Sequence, residues 1–246
     1  MKTAIFIWAA LLWCMPQGRC GQEVPSEVHF KTKDNVEIYG RLQFPKETKR
    51  AVPAIILIHQ GGSSSMEWLE LPLWDQLLKE GFALLAYDVR GHGQSGNDGG
   101  SMDDLLQNPD RAPLDLLAAI HFLGKDPRID ASKIGIIGAS MGADLACVAA
   151  ALERFSVKSV VSMSPKVSAI QSLSGGEQTV SPKNAFFIAS AEEQYGMRDK
   201  WAHELYKRTS GRKKVAIGKG EKHGSYILGS NKSLNQTIVA WFDSTL

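Results

Sequence analysis

The sequence predicts an α/β domain built on a mostly parallel, eight-stranded sheet with helices on both faces. Three observations carry this expectation. From residue 54 onward, short apolar runs alternate with segments of helical periodicity, the pattern of strand–helix crossovers in a parallel sheet. Runs such as Ala54-Ile55-Ile56-Leu57-Ile58 show no polar alternation, so both of their faces are expected to be covered. Ahead of them, 27–33 and 36–44 do alternate, and Asp34-Asn35 between them is a hairpin signal.

The expected order follows from these patterns. Two antiparallel strands open the domain. Strands at 54–59, 82–87, 133–138, 157–163, 185–190 and 213–217 then alternate with helices near 66–80, 112–124, 142–152, 198–209 and 232–244. Pro45 and Pro53 bound the first connection. About 20 residues rich in Ser and Gly join the strands at 157–163 and 185–190. That is too short for a lid domain, so an open site is expected, walled by this loop and by 62–73. Met66, Trp68 and Met141 are the expected apolar contacts of a substrate, whereas Trp74 reads as helix packing.

The chemistry centres on Gly138-Ala139-Ser140-Met141-Gly142, a G-x-S-x-G pattern between a strand-like run and a helical one. A serine on so sharp a turn is held in a strained conformation that lifts its hydroxyl clear of the sheet. The flanking glycines allow strand and helix to approach because no Cβ intervenes. Ser140 is therefore the expected nucleophile, and the helix N-terminus beside it offers unpaired N–H groups to an oxyanion.

A serine hydroxyl needs a base, and the base needs an orienting acid. With this kind of elbow the chain order is Ser, acid, His. Of six histidines, only His203 and His223 follow Ser140. His203 lies in a helical stretch and reads as a solvated or half-buried helix residue. His223 lies in a loop beyond a strand and is followed by Gly224, so it is the expected base. The strand ending at Ser164-Pro165-Lys166 supplies no acid. The next one runs into Glu192-Glu193, where Glu193 is the expected acid, Glu192 the alternative and Asp199 a third candidate.

The oxyanion needs two N–H donors. Met141 supplies one. The loop His59-Gln60-Gly61-Gly62 after the first buried strand supplies the other, from Gly61 or else Gln60, and Gln60 is also expected to face substrate. His59 is expected to brace this loop through hydrogen bonds. The cluster from Asp88 to Gly96 reads as a tight turn braced by an Asp–Arg pair.

Five pieces, the Ile58–Gly62 loop, the Asp88–Ser95 loop, the Gly138–Gly142 elbow, Ala191-Glu192-Glu193 and His223-Gly224, resemble the α/β-hydrolase superfamily in order and spacing over roughly residues 27 to 245. The run from Asp126 to Gly135 is similar to the dienelactone-hydrolase-like and prolyl-oligopeptidase-like branch. The resemblance implies the α/β-hydrolase fold and esterase or peptidase chemistry. Dienelactone hydrolases proper carry a Cys nucleophile, whereas this chain has Ser140.

Composition bounds the rest. At 246 residues with 43% hydrophobic and 22% charged content, one globular domain is expected. Residues 1–20 read as a signal peptide: Lys2 is the positive end, 3–15 is the apolar stretch, and Gly18 and Cys20 precede the cut. The mature domain is then 21–246, secreted or periplasmic. Lipid anchoring at Cys20 is the alternative, with Arg19 a poor lipobox neighbour, and an uncleaved anchor is a lesser one. Membrane association is expected only through such an N-terminus. Removal of Lys2 and Arg19 leaves 26 basic and 26 acidic residues, a neutral balance that gives no argument for nucleic-acid binding. Cys14, Cys20 and Cys147 imply no disulfide framework.

The expected function is hydrolysis of small-molecule carboxylic esters through Ser140, His223 and Glu193, with no metal or organic cofactor. Peptidase activity on small peptides is the alternative enzyme. A non-catalytic binding protein that kept the fold is the third reading.

Overall fold

A computed structural model describes residues 24–46, 50–176 and 179–246. The signal-peptide and Cys20 expectations fall outside the described residues. One eight-stranded sheet forms the centre, in the order β1-β2-β4-β3-β5-β6-β7-β8. β1 (Ser26–Lys31) and β2 (Glu37–Gln43) form the antiparallel hairpin, and β2 also runs antiparallel to β4 (Ala83–Tyr87). The remaining pairs are parallel: β3 (Val52–Ile58) with β4 and β5 (Ile129–Ala139), then β6 (Ser159–Met163), β7 (Lys183–Ser190) and β8 (Ser210–Gly218).

Successive side chains of each inner strand enter opposite cores. Ala54, Ile56 and Ile58 of β3 join one apolar cluster, and Ile55 and Leu57 join the other. The first cluster is covered by α4 (Ala112–Gly124), α5 (Met141–Ala151) and α7 (Met197–Arg208). The second is covered by α2 (Pro72–Glu80) and α8 (Lys232–Asp243), through Trp74, Leu77, Ile238, Trp241 and Phe242.

The helix expected over 66–80 is two helices. Pro72 has no N–H and holds Leu71 extended, at φ −87° and ψ 139°, so a short α1 (Met66–Leu69) ends before α2 begins. α2 stops at Gly81, whose φ of 100° suits a residue without a Cβ. Two further helices stand where no helix was expected: α3 (Met102–Gln107) after β4 and α6 (Val167–Leu173) after β6. A capping box between Ser101 and Asp104 starts α3, a signal present in the sequence. Val167, Ile170 and Leu173 of α6 recur at helical spacing and are buried.

Candidate active site

The segments that follow β3, β5, β6, β7 and β8 carry Gly61, Ser140, Ser164, Glu193 and His223. Ser140 joins β5 to α5 at φ 51° and ψ −108°, outside the regions that L-residues favour. Its N–H donates to the Met163 carbonyl of the neighbouring strand (2.8 Å), which pins the turn to the sheet. Both flanking glycines are sterically required. A Cβ on Gly138 would lie 1.9 Å from the Gly142 carbonyl oxygen, and one on Gly142 would lie 2.2 Å from that of Ile58.

His223 precedes a 3-10 turn after β8, and its Nδ1 lies 2.5 Å from Glu193 Oε1. Glu193 is 4% exposed. Its other oxygen accepts from Ser164 Oγ (2.8 Å) and from the Ser190 N–H (3.4 Å). With Nδ1–H donated to the carboxylate, His223 keeps a lone pair on Nε2 and can take a proton. Gly224 sets the next residue against the elbow: a Cβ there would be 3.4 Å from Ala139 Cβ and 2.2 Å from Gln60 Oε1. Glu192 is exposed. Asp199 and His203 pair with each other at 2.6 Å, away from this cluster on the surface of α7.

The loop after β3 is held from both sides. His59 Nε2 accepts the Val89 N–H (2.9 Å), so its Nδ1–H donates to the Gln60 carbonyl (2.8 Å). Burial pushes the imidazole down to about 4, which keeps it neutral for both bonds. The Gln60 N–H is directed at Glu67 Oε1 (3.4 Å), whereas Gly61 opens onto a cavity shared with Ser140 and Met141. Met141 is the first residue of α5, and its N–H belongs to the turn that lacks intrahelical acceptors.

That cavity has a volume of about 530 Å³. Its walls differ from the expected ones. Met102 and Leu106 of α3 face Ala169 and Ser172 of α6, with Lys166, Arg198 and Asp144 completing the lining. Trp68 is wholly buried in the core beneath α1 and contacts no ligand space, because α1 turns that face toward the sheet. Met66 is exposed on the opposite face of the same short helix and is not part of the cavity wall. Gln60 is likewise absent from the wall: its side chain is turned against Gly224. The 164–182 connection thus does more than close a loop, since α6 roofs the cavity together with α3.

A family model described as the alpha/beta hydrolase fold matches residues 53–231. The chain belongs to this family. Among curated relatives, a thiohydrolase of Aspergillus aculeatus is 28% identical over 145 residues, covering 58% of this chain and 42% of the relative. An esterase, FrsA, of Photorhabdus laumondii is 27% identical over 145 residues, covering 59% and 33%. The chain therefore spans less than half the length of these relatives. Among solved structures, an esterase of Pyrococcus furiosus superposes with a TM-score of 0.70 at 22% identity, covering 90% of each chain. A dienelactone hydrolase of Anabaena variabilis gives 0.67 at 20%, covering 91% of this chain and all of that one. At these identities the structures establish the fold.

In this α/β hydrolase the Arg–Asp brace differs from the expected local pair. Arg90 is buried and bonds Asp115 of α4 (2.8 Å), Asp34 of the opening hairpin (2.6 Å) and Asp98 (2.8 Å). Asp88 instead accepts the N–H groups of Ser65 (2.6 Å) and Gln94 (2.8 Å). The result fixes the loop that presents the Val89 N–H to His59. Asp144 is buried in the first turn of α5 and accepts the Lys166 N–H (2.7 Å), and burial pushes its carboxyl up to about 7. Ser164, Asp144, Lys166 and Arg198 were not singled out as site residues from the sequence. Only Ser164 had a signal, its place directly at a strand's carboxyl end. Cys147 is buried behind the elbow, with its thiol 3.3 Å from Ser162 Oγ, and burial pushes that thiol up. Among the described residues no group of His, Cys, Asp and Glu is arranged to hold a metal ion.

Proposed function

We propose that this α/β hydrolase is a serine hydrolase that cleaves carboxylic esters of small molecules. The observation that carries the reading is the buried Glu193 carboxylate 2.5 Å from His223 Nδ1, on a loop whose Gly224 abuts Ala139, the residue before a serine held at φ 51°. Ser140 Oγ attacks the ester carbonyl as His223 Nε2 takes its proton. The Gly61 and Met141 N–H groups receive the negative charge that develops on the carbonyl oxygen. His223 returns the proton to the departing alcohol, leaving an acyl-Ser140 ester. Water, deprotonated by His223, then releases the carboxylic acid and restores the serine. Glu193 stabilises the imidazolium in both halves.

The size and lining of the cavity favour short acyl groups. About 530 Å³, bounded by both apolar and charged side chains, suits a compact substrate better than a long hydrocarbon chain. Residues 1–20 act in this reading as an export signal, and N-terminal sequencing of the exported protein checks it by finding Gly21 first.

The decisive experiment is hydrolysis of p-nitrophenyl butyrate by the wild type and by Ser140→Ala. The variant is expected to lose on the order of 10⁴-fold or more in kcat. Equal background rates in both proteins sink the esterase reading and turn attention to amide substrates.

A further inference from the structure

Every polar group of Ser164 is committed, and two of its bonds reach the proposed acid and base loops. Its Oγ–H donates to Glu193 Oε2 (2.8 Å), and the same oxygen accepts the Gly224 N–H (2.9 Å), next to His223. Its N–H donates to the Ile188 carbonyl of β7 (2.8 Å). Its carbonyl accepts from Arg198 Nη1 (2.6 Å), whose Nε lies 3.6 Å from Glu193 Oε1. The residue is fully buried and stands at φ 60°. A strained serine at a strand end, satisfied on all sides, is held in place by its partners against its conformational cost.

We propose that Ser164 is a positioning residue that locks Glu193 and the His223 loop into one unit through its single hydroxyl. This rests on the proposed Ser140–His223–Glu193 chemistry. The carboxylate has two oxygens, and His223 uses one. Unless the other is held, the carboxyl rotates about its terminal torsion, which has broad wells. The Ser164 hydroxyl and the Ser190 N–H hold that second oxygen. Because the hydroxyl also receives the Gly224 N–H, the loop carrying the imidazole is referenced to the same atom as the acid. A displacement of 1 Å at such a site is enough to cost much of the rate. Arg198 acts alongside it by fixing the Ser164 carbonyl and adding a positive charge near the carboxylate.

Two variants separate hydroxyl from backbone. Ser164→Ala deletes the oxygen and keeps the Cβ at φ 60°, whereas Ser164→Gly deletes it and relaxes the backbone. Both are compared with the wild type for p-nitrophenyl butyrate kinetics, for melting temperature, and for the far-downfield proton resonance of His223 Nδ1–H that a short hydrogen bond to Glu193 produces. Both variants are expected to lose kcat by about 10- to 100-fold, the factor matching one hydrogen bond to a charged group. KM is expected to stay within about twofold. The downfield resonance is expected to move upfield or broaden in both, which a purely structural role would not cause in a folded variant. If Ala fails to fold, the glycine variant carries the test. Unchanged kcat with an intact resonance in either folded variant overturns the proposal. The resonance is read in the resting protein. A wild type without ester turnover therefore overturns the proposed activity while the positioning of Glu193 by Ser164 is still decided.

Discussion

Gly142 lies so close to Ile58 that a Cβ added to it would stand 2.2 Å from the Ile58 carbonyl oxygen. The obstacle is backbone of a central strand, which no rotamer change relieves. Gly142→Ala is therefore expected to destabilise the fold by about 1–3 kcal/mol and to displace Ser140, lowering ester turnover as well. Gly229→Ala is the control, since nothing lies within 4 Å of a Cβ there. Urea melts of both variants read the difference. Equal stability of the two would mean that the strand and helix can separate without cost.

The two adjacent glutamates are expected to behave differently. In the proposed mechanism Glu193→Gln removes the charge that stabilises the imidazolium, and kcat is expected to fall by about 10³- to 10⁴-fold. Glu192→Gln changes an exposed side chain and is expected to leave kcat within about twofold of the wild type. Parallel kinetics on one ester decide between them, and a larger loss at Glu192 would reverse the assignment.

Arg90 is the cation of a buried cluster, and Arg90→Met leaves Asp115 buried without its partner. A loss of about 3–5 kcal/mol is expected at neutral pH. The pH dependence follows from Asp34, which its bonds to Arg90 hold down at about 2 from an ordinary 3.8. A depressed acid stabilises the fold above its unfolded value, and that contribution is lost as pH falls from about 4 toward 2. The gap between wild type and Arg90→Met is thus expected to be wider at pH 7 than at pH 3 in denaturant titrations. A gap of constant size would remove the Asp34 pairing as a cause.

Glu67 has the opposite sign. Burial pushes its carboxyl up to about 7 from an ordinary 4.5, against hydrogen bonds from Ser63, Gln60 and Ser225 and the nearby His223. One of its oxygens is buried with no partner. The folded state therefore holds a proton that the unfolded chain releases, and stability declines as pH rises from 4.5 to 7. Glu67→Gln removes that slope. Its melting temperature relative to the wild type is expected to climb across this window, by the equivalent of at most about 3.5 kcal/mol at ~1.4 kcal/mol per pKa unit. A difference that stays flat with pH would show that Glu67 ionises freely.

Features that depend on neighbouring residues could be read directly from the chain. Apolar runs such as Ala54–Ile58 mark strands because each residue is buried on one face or the other, and the Gly138–Gly142 turn is defined by its own steric demands. The division of the first helix was within reach too, since Pro72 announces it.

Relationships between segments distant in the chain emerge only in the folded domain. The orientation of Glu193 depends on a turn in which Gln194, Tyr195 and Gly196 all adopt positive φ, and only one of those is glycine. Trp68 and Met66 sit on one four-residue helix, yet one is buried in the core and the other is exposed. Periodicity over so short a helix could not say which face meets the sheet. α3 and α6 wall the cavity although 59 residues lie between them, and Ser164 reaches Glu193 across 29 residues and Gly224 across 60. Such contacts are set by sheet order and strand register. No local pattern encodes a hydrogen bond whose two ends are brought together only when the whole sheet has formed.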